Sequence, residues 1–446
     1  MNLDAIFKAY DVRGVVPAEL DEEAAHRIGY AFARFTAADR IVLGRDARTS
    51  SPALAVALGD GIRAAGVGVS DLGMITTDMV YFASGYFDLP GAMITASHNP
   101  KGYNGIKLCL AGAAPVGADS GLAEVRLLAA DDPPSDLVGV HRSDEVLDAY
   151  VDHMLNAAGA TSIAGLRVAV DGGNGVAGVA IPSIFGRIDA DLIGLYLDPD
   201  GTFPNHHPDP LRPENLVDLT ALMARERPDL GVAFDGDADR AFFIDDAGDP
   251  LSGSTVTAML AKWFLAEDTG ASIVHNLICS KAVPEAITAA GGTPVRTRVG
   301  HSYIKQVMKD TGAVFGGEHS GHYYFRDNYR ADSGILATLV LMRILSESES
   351  PLSELRRDFE PYAQSGEINL VVADTADEID RVEAAFKGGD RLDGLTVDLG
   401  DRWFNVRPSN TEPVLRLNVE APDPKAVEKL VAMVRSHIQE VELGSS

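Results

Sequence analysis

The sequence predicts an α/β protein: three similar α/β/α domains with mixed, mostly parallel sheets, followed by a smaller α+β C-terminal domain. Three observations carry this expectation. At 446 residues the chain exceeds what one core usually serves, roughly 100–200 residues per domain. Three stretches repeat one layout: a short β-rich run, a helical run and a second β-rich run. Each repeat later has an apolar strand that runs straight into a loop of small and polar residues. The layout restarts so as to give domains at 1–158, 159–252, 253–364 and 365–446.

The first repeat opens with Arg40–Arg45, continues as a helix over 51–65 and returns as a short strand at 67–69. The second opens at 166–171, with a helix over 176–185 and a strand over 190–197. The third opens at 272–277, with a helix over 283–290 and a strand over 293–299. Strands alternating with helices at this spacing read as βαβ units, whose mostly parallel sheets are covered on both faces. The repetition lies in pattern, not identity, as in a repeated α/β domain. The last part differs. It has a strand over 366–373, a helix over 376–386, strands over 403–406 and 414–419, and an amphipathic helix over 424–439. The Pro/Asp cluster at 131–136 reads as a loop.

Composition excludes several functions. Acidic residues number 65 against 38 basic ones, a formal net charge of -27, which repels polyphosphate backbones and anionic membranes. No nucleic-acid or membrane partner is therefore expected. Hydrophobic residues at 46% and charged residues at 23% exclude disorder as the main state. The N-terminal segment carries Asp4, Lys8, Asp11 and Arg13 and has no apolar signal region. No window approaches the roughly 18 apolar residues of a membrane span. Cys109 and Cys279 sit in apolar stretches and read as buried thiols of a reducing compartment. A cytoplasmic protein, monomer or dimer, is the expectation.

Ligands of open α/β sheets bind outside the carboxyl ends of the strands, where three polar loops fall. Asp235-Gly236-Asp237-Ala238-Asp239-Arg240 places carboxylates at alternate positions, with small residues between them. Three oxygens can then converge on a hard cation such as Mg²⁺, which also takes phosphate oxygens. A calcium loop is excluded by Arg240 at its sixth position and Asp246 at its twelfth; a solvated acidic turn is the bland alternative. Thr95-Ala96-Ser97-His98-Asn99-Pro100 offers a hydroxyl beside an imidazole. It lacks the Gly-x-Ser-x-Gly elbow of acyl transfer, so a phosphate-carrying serine is the stronger option. Tyr103-Asn104-Gly105-Ile106-Lys107 reads as a turn that brings a cation back towards it. Gly317-Glu318-His319-Ser320-Gly321-His322 offers a carboxylate and a hydroxyl to a sugar, and its glycines allow close backbone approach. Arg407-Pro408-Ser409-Asn410-Thr411 groups a guanidinium, hydroxyls and an amide suited to a phosphate dianion. Gly173-Asn174-Gly175-Val176-Ala177-Gly178 matches a dinucleotide fingerprint, but the preceding Asp171-Gly172 lengthens the loop, and a structural turn is the preferred reading. No Walker motif occurs.

Taken together and in order, the loops at 95–100, 235–240, 317–322 and 407–411, with Tyr10-Asp11-Val12-Arg13-Gly14, resemble the α-D-phosphohexomutase superfamily over essentially the whole chain. The resemblance implies an isomerase that moves phosphate between C1 and C6 of a hexose phosphate through a hexose 1,6-bisphosphate, which also serves as activator. Ser97 resembles the serine phosphorylated in the resting enzyme. Asp235, Asp237 and Asp239 resemble the Mg²⁺ ligands, with the Ser97 phosphate as a further one. Glu318 and Ser320 resemble the pair that binds the sugar 3- and 4-hydroxyls. Arg407, Ser409, Asn410 and Thr411 resemble the distal phosphate clamp. Arg13, His98, Lys107, Arg240 and His322 resemble the shell that stabilises charge and moves protons; Tyr10 and His301 resemble substrate-contacting positions. The Tyr103-Asn104-Gly105 form resembles the phosphomannomutase/phosphoglucomutase branch, acting on mannose and glucose phosphates; phosphoglucosamine mutase and a Mg²⁺-dependent sugar phosphatase are the alternatives. One departure stands out. Bifunctional bacterial members often carry Lys where Ile278 stands, so either nearby Lys281 substitutes or proton transfer falls to other groups.

Overall fold

A computed structural model describes residues 2–409 and 414–440. Its first three sheets share one strand order. In the first, Arg40–Arg45 lies parallel between Gly68–Met74 and Gly91–Ile94, and Tyr103–Leu110 closes antiparallel on Gly91–Ile94. In the second, Ala164–Asp171 lies parallel between Asp189–Leu195 and Leu230–Phe234, with Ala241–Ile244 antiparallel on the latter. In the third, Ser272–Asn276 lies parallel between Thr293–Thr297 and Phe315–Gly317, with Tyr323–Phe325 antiparallel at the edge. The first sheet is widened by Val12–Val15, antiparallel to Tyr103–Leu110, and by His141–Ser143, parallel to Gly68–Met74.

This order explains where the polar loops sit. A parallel neighbour needs a crossover of a dozen or more residues, whereas an antiparallel one needs only a short connection. Each polar loop is such a short connection between the third strand of its sheet and the antiparallel fourth. The turn expected over Tyr103–Lys107 is corrected here. That segment is the start of the strand Tyr103–Leu110, and the turn lies before it. Alternation puts the residues at 104, 106 and 108 on one face and Lys107 on the other.

The strands Gly91–Ile94 and Leu230–Phe234 are buried at every position, as continuous apolar runs covered on both faces require. The covering helices start where the sequence supplies caps: the side chains of Asp21, Thr76, Ser252 and Ser333 each accept a backbone N–H of the first turn. Met79 and Phe82 of the helix Thr77–Phe87 share one buried cluster with Val168 and Val170 of the second sheet and Leu336 and Leu339 of the helix Gly334–Ser346. One core therefore fastens the first three units together.

The fourth unit has its own core, around Leu370, Val382, Phe404, Leu417 and Leu430. Its antiparallel sheet runs in the order Ala363–Leu370, Leu415–Ala421, Trp403–Pro408, Leu395–Asp398. It docks on the third unit through the buried Glu420, whose carboxylate accepts the Lys281 backbone N–H at 2.9 Å and Trp403 Nε1 at 2.8 Å. Among the described residues no helix is long and apolar enough to cross a membrane.

Candidate active site

Ser97 lies in the hairpin loop of the first sheet with φ +51 and is 1% exposed. Its hydroxyl donates to Asp235 Oδ2 at 2.6 Å, and His98 Nδ1 lies 3.2 Å from Ser97 Oγ. Burial, then the charges of Arg240 and Arg13, hold His98 well below the usual imidazole range, so the ring is neutral at pH 7.

The loop after Leu230–Phe234 brings Asp235, Asp237 and Asp239 together, their ligand oxygens within 4.8 Å of one another. All three are buried. Burial, then Asp239 and Asp237, push Asp235 well above the ordinary carboxylate range. Asp239 behaves oppositely: burial opposes its charge, but Lys107 and His322 hold it well below that range. Lys107 Nζ donates to Asp237 Oδ2 at 2.7 Å and also to Asp239 Oδ2. Burial would depress the Lys107 ammonium, but the two aspartates outweigh that and keep it charged. Thr77 donates its hydroxyl to Asp237 Oδ2 at 2.6 Å. Asp237 Oδ1 and Asp239 Oδ1 are buried with no hydrogen-bond partner. Three buried carboxylates with two orphaned oxygens fit a hard, oxygen-seeking dication, and Mg²⁺ suits the all-oxygen donor set.

The third hairpin loop closes on this centre. Arg240 Nε donates to His322 Nε2 at 3.2 Å and lies 3.8 Å from Asp235 Oδ2. His322 Nε2 also lies 3.5 Å from Asp239 Oδ1, and its Nδ1 lies 3.2 Å from Ser320 Oγ. Glu318 is 2% exposed; its carboxylate accepts Asn276 Nδ2 at 3.0 Å and the Tyr324 hydroxyl. On the first unit, Arg13 Nε donates to Asp11 Oδ2 at 2.9 Å, and Arg13 Nη1 donates to Asn99.

Tyr10, His301 and Arg407 approach one another where the first, third and fourth units meet. Tyr10 donates to Val299 O at 3.0 Å and meets the His301 ring edge-on at 5.5 Å. Gly300 is required there: its φ is +132, and a Cβ would lie 2.7 Å from the Tyr10 ring. Burial, then Lys305, pull His301 down to about 3, and its Nδ1 is buried with no partner. Arg407 is buried and donates to Glu367 Oε2 at 2.9 Å. Burial lowers its pKa, and it lies close enough to Tyr10 for each charge to act on the other. The backbone N–H of Ser409 donates to Val414 O at 2.9 Å. Asn410 and Thr411 lie outside the described residues.

Lys281 does not join the groups around Ser97. Its Nζ donates to Gly400 O at 2.6 Å and lies 3.6 Å from Asp398, so the fourth unit engages it, while Ile278 is buried. The glycines of 173–178 are used for packing. A Cβ on Gly175 would lie 2.7 Å from Gly236 O, and one on Gly178 would lie 1.7 Å from Leu197 O. Sequence reasoning missed Arg48, Asp46 and Thr77. Asp46 and Arg48 immediately follow the strand Arg40–Arg45, so the rule about carboxyl ends of strands could have found them.

Models of the phosphoglucomutase/phosphomannomutase family match the chain in order: alpha/beta/alpha domain I at residues 4–126, domain II at 148–248, domain III at 252–362 and the C-terminal domain at 367–437. The chain is 42% identical to a phosphomannomutase of Salmonella montevideo, covering 94% of this chain and 96% of that one. It is 41% identical to a phosphomannomutase of Escherichia coli K12, covering 93% and 94%. A crystal structure of a phosphoglucomutase/phosphomannomutase family protein from Burkholderia thailandensis superposes with a TM-score of 0.89 at 34% identity, covering 97% of this chain and 96% of that one. With the loops at 95–100, 235–240 and 317–322 meeting around Ser97 and this similarity along nearly its whole length, the chain belongs to the phosphoglucomutase/phosphomannomutase family of the α-D-phosphohexomutases.

Proposed function

We propose that this protein is a phosphohexomutase that interconverts mannose 1-phosphate and mannose 6-phosphate, and the corresponding glucose phosphates, with Ser97 as the phosphoryl carrier. The observation that carries the reading is the meeting of Ser97 Oγ with Asp235 at 2.6 Å, inside a cluster of three buried aspartates and a ring of cations. The enzyme is an isomerase that works as an intramolecular phosphotransferase, as its phosphomannomutase relatives are named. The family is Mg²⁺-dependent, and Asp235, Asp237 and Asp239 are the residues that would hold the ion. When bound there, Mg²⁺ would draw charge from the transferring phosphoryl oxygens.

In this mechanism the hydroxyl at the sugar's free O1 or O6 attacks the phosphorus of phosphoserine 97 and gives up its proton to an imidazole of the surrounding shell, His98 or His322. The bond to Ser97 Oγ breaks, and a hexose 1,6-bisphosphate forms. Arg13, Lys107 and Arg240 counter the charge on the phosphoryl group. The neutral His98 and Asp235 flank Ser97 Oγ, where a proton must arrive as the phosphoryl leaves. Glu318 and Ser320 hold the ring hydroxyls, His322 supports Ser320, and Tyr10 and His301 line the substrate path. Arg407, Ser409, Asn410 and Thr411 hold the distal phosphate. The bisphosphate then turns end for end, and Ser97 recovers the other phosphate. Catalytic amounts of bisphosphate therefore prime the enzyme. The four domains are read as 1–158, 159–252, 253–364 and 365–446, in a cytoplasmic protein whose two cysteines are buried free thiols.

A coupled assay on mannose, glucose and glucosamine 1-phosphates, with and without glucose 1,6-bisphosphate, tests the reading. Ser97→Ala should lower kcat by on the order of 10³-fold or more. Full activity in that variant would remove the phosphoserine mechanism.

A further inference from the structure

Lys107 and Arg240 face carboxylates of the aspartate cluster, and Arg13 pairs with Asp11 while also donating to the Asn99 side chain and Ala96 O. Arg48 stands apart. It is 1% exposed, and its guanidinium is directed almost entirely at backbone carbonyls of the segment that contains Ser97. Nη2 donates to Ser97 O at 2.7 Å and Asn99 O at 2.6 Å. Nη1 donates to Pro100 O at 2.9 Å and Tyr103 O at 3.1 Å. Nε donates to Asp46 Oδ2 at 3.2 Å, completing the five donors of the fork.

These bonds answer a physical difficulty of the loop. Ser97 adopts a left-handed φ of +51, which costs a serine on the order of 1 kcal/mol. Four carbonyl dipoles also converge on one buried point, where they repel unless a cation sits between them. The Arg48 guanidinium is that cation, and Asp46 balances its charge. Asp46 is itself fixed by the Arg48 backbone N–H at 2.9 Å and by the Ser51 hydroxyl. The second unit closes over the outer face: Gly201 pairs with Arg48 along the backbone, and the guanidinium lies 5.3 Å from the centre of the Phe203 ring. Gly236 presses on the same Ser97 carbonyl, where a Cβ would lie at 2.6 Å. The Ser97 carbonyl is thus held from both sides, and this fixes the direction in which Oγ leaves the backbone.

We propose that Arg48 is the positioning residue of the phosphoryl carrier: its guanidinium holds the 97–103 segment so that Ser97 Oγ faces the aspartate cluster. The proposal rests on Ser97 being that carrier. It assigns Arg48 no contact with substrate, because its five donors are already engaged. Lysine cannot replace it, since three donors on a compact ammonium cannot reach four carbonyls and a carboxylate in one plane.

The experiment uses the full-length protein with Mg²⁺ and compares wild type, Arg48→Lys and Phe203→Leu. kcat and KM are measured on mannose 1-phosphate, phosphate on Ser97 by intact mass after priming with glucose 1,6-bisphosphate, and Mn²⁺ affinity by calorimetry. For Arg48→Lys, kcat should fall about 100-fold, as misplacement by about 1 Å does elsewhere. Its KM and Mn²⁺ affinity should stay within threefold of wild type. Phe203→Leu keeps every Arg48 donor but removes the ring over it, and should lower kcat severalfold with the same unchanged KM. A kcat within threefold of wild type in Arg48→Lys overturns the proposal, and so does a loss of Mn²⁺ affinity as large as the loss of kcat. If Arg48→Lys fails to fold, Phe203→Leu decides: an unchanged kcat overturns the proposal. Absence of phosphate on wild-type Ser97 instead sinks the reading beneath it, which separates the two failures.

Discussion

Lys305→Met should destabilise the protein by about 3–5 kcal/mol, the cost of breaking a buried ion pair from one side. Lys305 Nζ lies 2.6 Å from Asp332 Oδ1, with the two side chains 2% and 1% exposed. The same ammonium sits 3.7 Å from the centre of the Tyr81 ring, on a helix of the first unit. Methionine keeps most of the stem volume and the contact with Tyr81, so packing changes little. What it removes is the charge: about 2 kcal/mol of desolvated cation–π attraction, and the cation that pairs with Asp332. Burial opposes the Asp332 charge and Lys305 at present more than offsets it, holding the carboxyl below its ordinary range. Without Lys305 the carboxyl is driven up and takes a proton more readily in the folded state than in the unfolded one. The variant should therefore regain part of its deficit as pH falls, because the native state then binds the extra proton. Adding Asp332→Asn removes the stranded charge, so the double variant should be more stable than the sum of the single losses implies, by about 2 kcal/mol. Urea unfolding of the four proteins at pH 7.5, repeated at pH 6, measures each quantity. A single-variant loss below 1 kcal/mol, or strictly additive losses, would refute the reasoning.

Two further outcomes follow from the same physics. His275 is buried in the strand Ser272–Asn276, with Nδ1 3.1 Å from Asn276 O, and burial pulls it down to about 4. Below its unfolded value of about 6.5 the unfolded state binds the proton first, so stability is lost as pH falls from about 6.5 towards 4. Between pH 7.5 and pH 5 this amounts to about 2 kcal/mol, which His275→Gln should remove from the pH dependence of urea unfolding. Gly236→Ala adds a Cβ 2.6 Å from Ser97 O and should separate the serine and aspartate loops. Its kcat should fall at least tenfold while thermal unfolding shifts by only a few degrees, and an unchanged kcat would show that the two loops do not need this contact.

Much of the fold was legible locally. Apolar runs such as Leu230–Phe234 and the capped helices after Asp21 and Ser252 state their own conformation. The signature loops were legible because small residues between carboxylates, or beside a hydroxyl, have few other uses at a strand's carboxyl end. The antiparallel return strands were less so. The segment Tyr103–Lys107 reads as a turn until the pairing of the strand Tyr103–Leu110 with Gly91–Ile94 is seen, and Leu395–Asp398 is a four-residue strand after Gly394.

The sequence alone determined the α/β class, the threefold repeat with its different fourth unit, and the residue types offered by each loop, because these depend on neighbours within a few positions. Only tertiary structure decided that Lys107 pairs with Asp237 and Asp239, that Arg48 is directed at the Ser97 backbone, and that Lys281 turns to the fourth unit. Such pairings join residues as many as 132 positions apart, as for Lys107 and Asp239. Their partners are chosen by the packing of whole sheets, and no local preference of the chain encodes that choice.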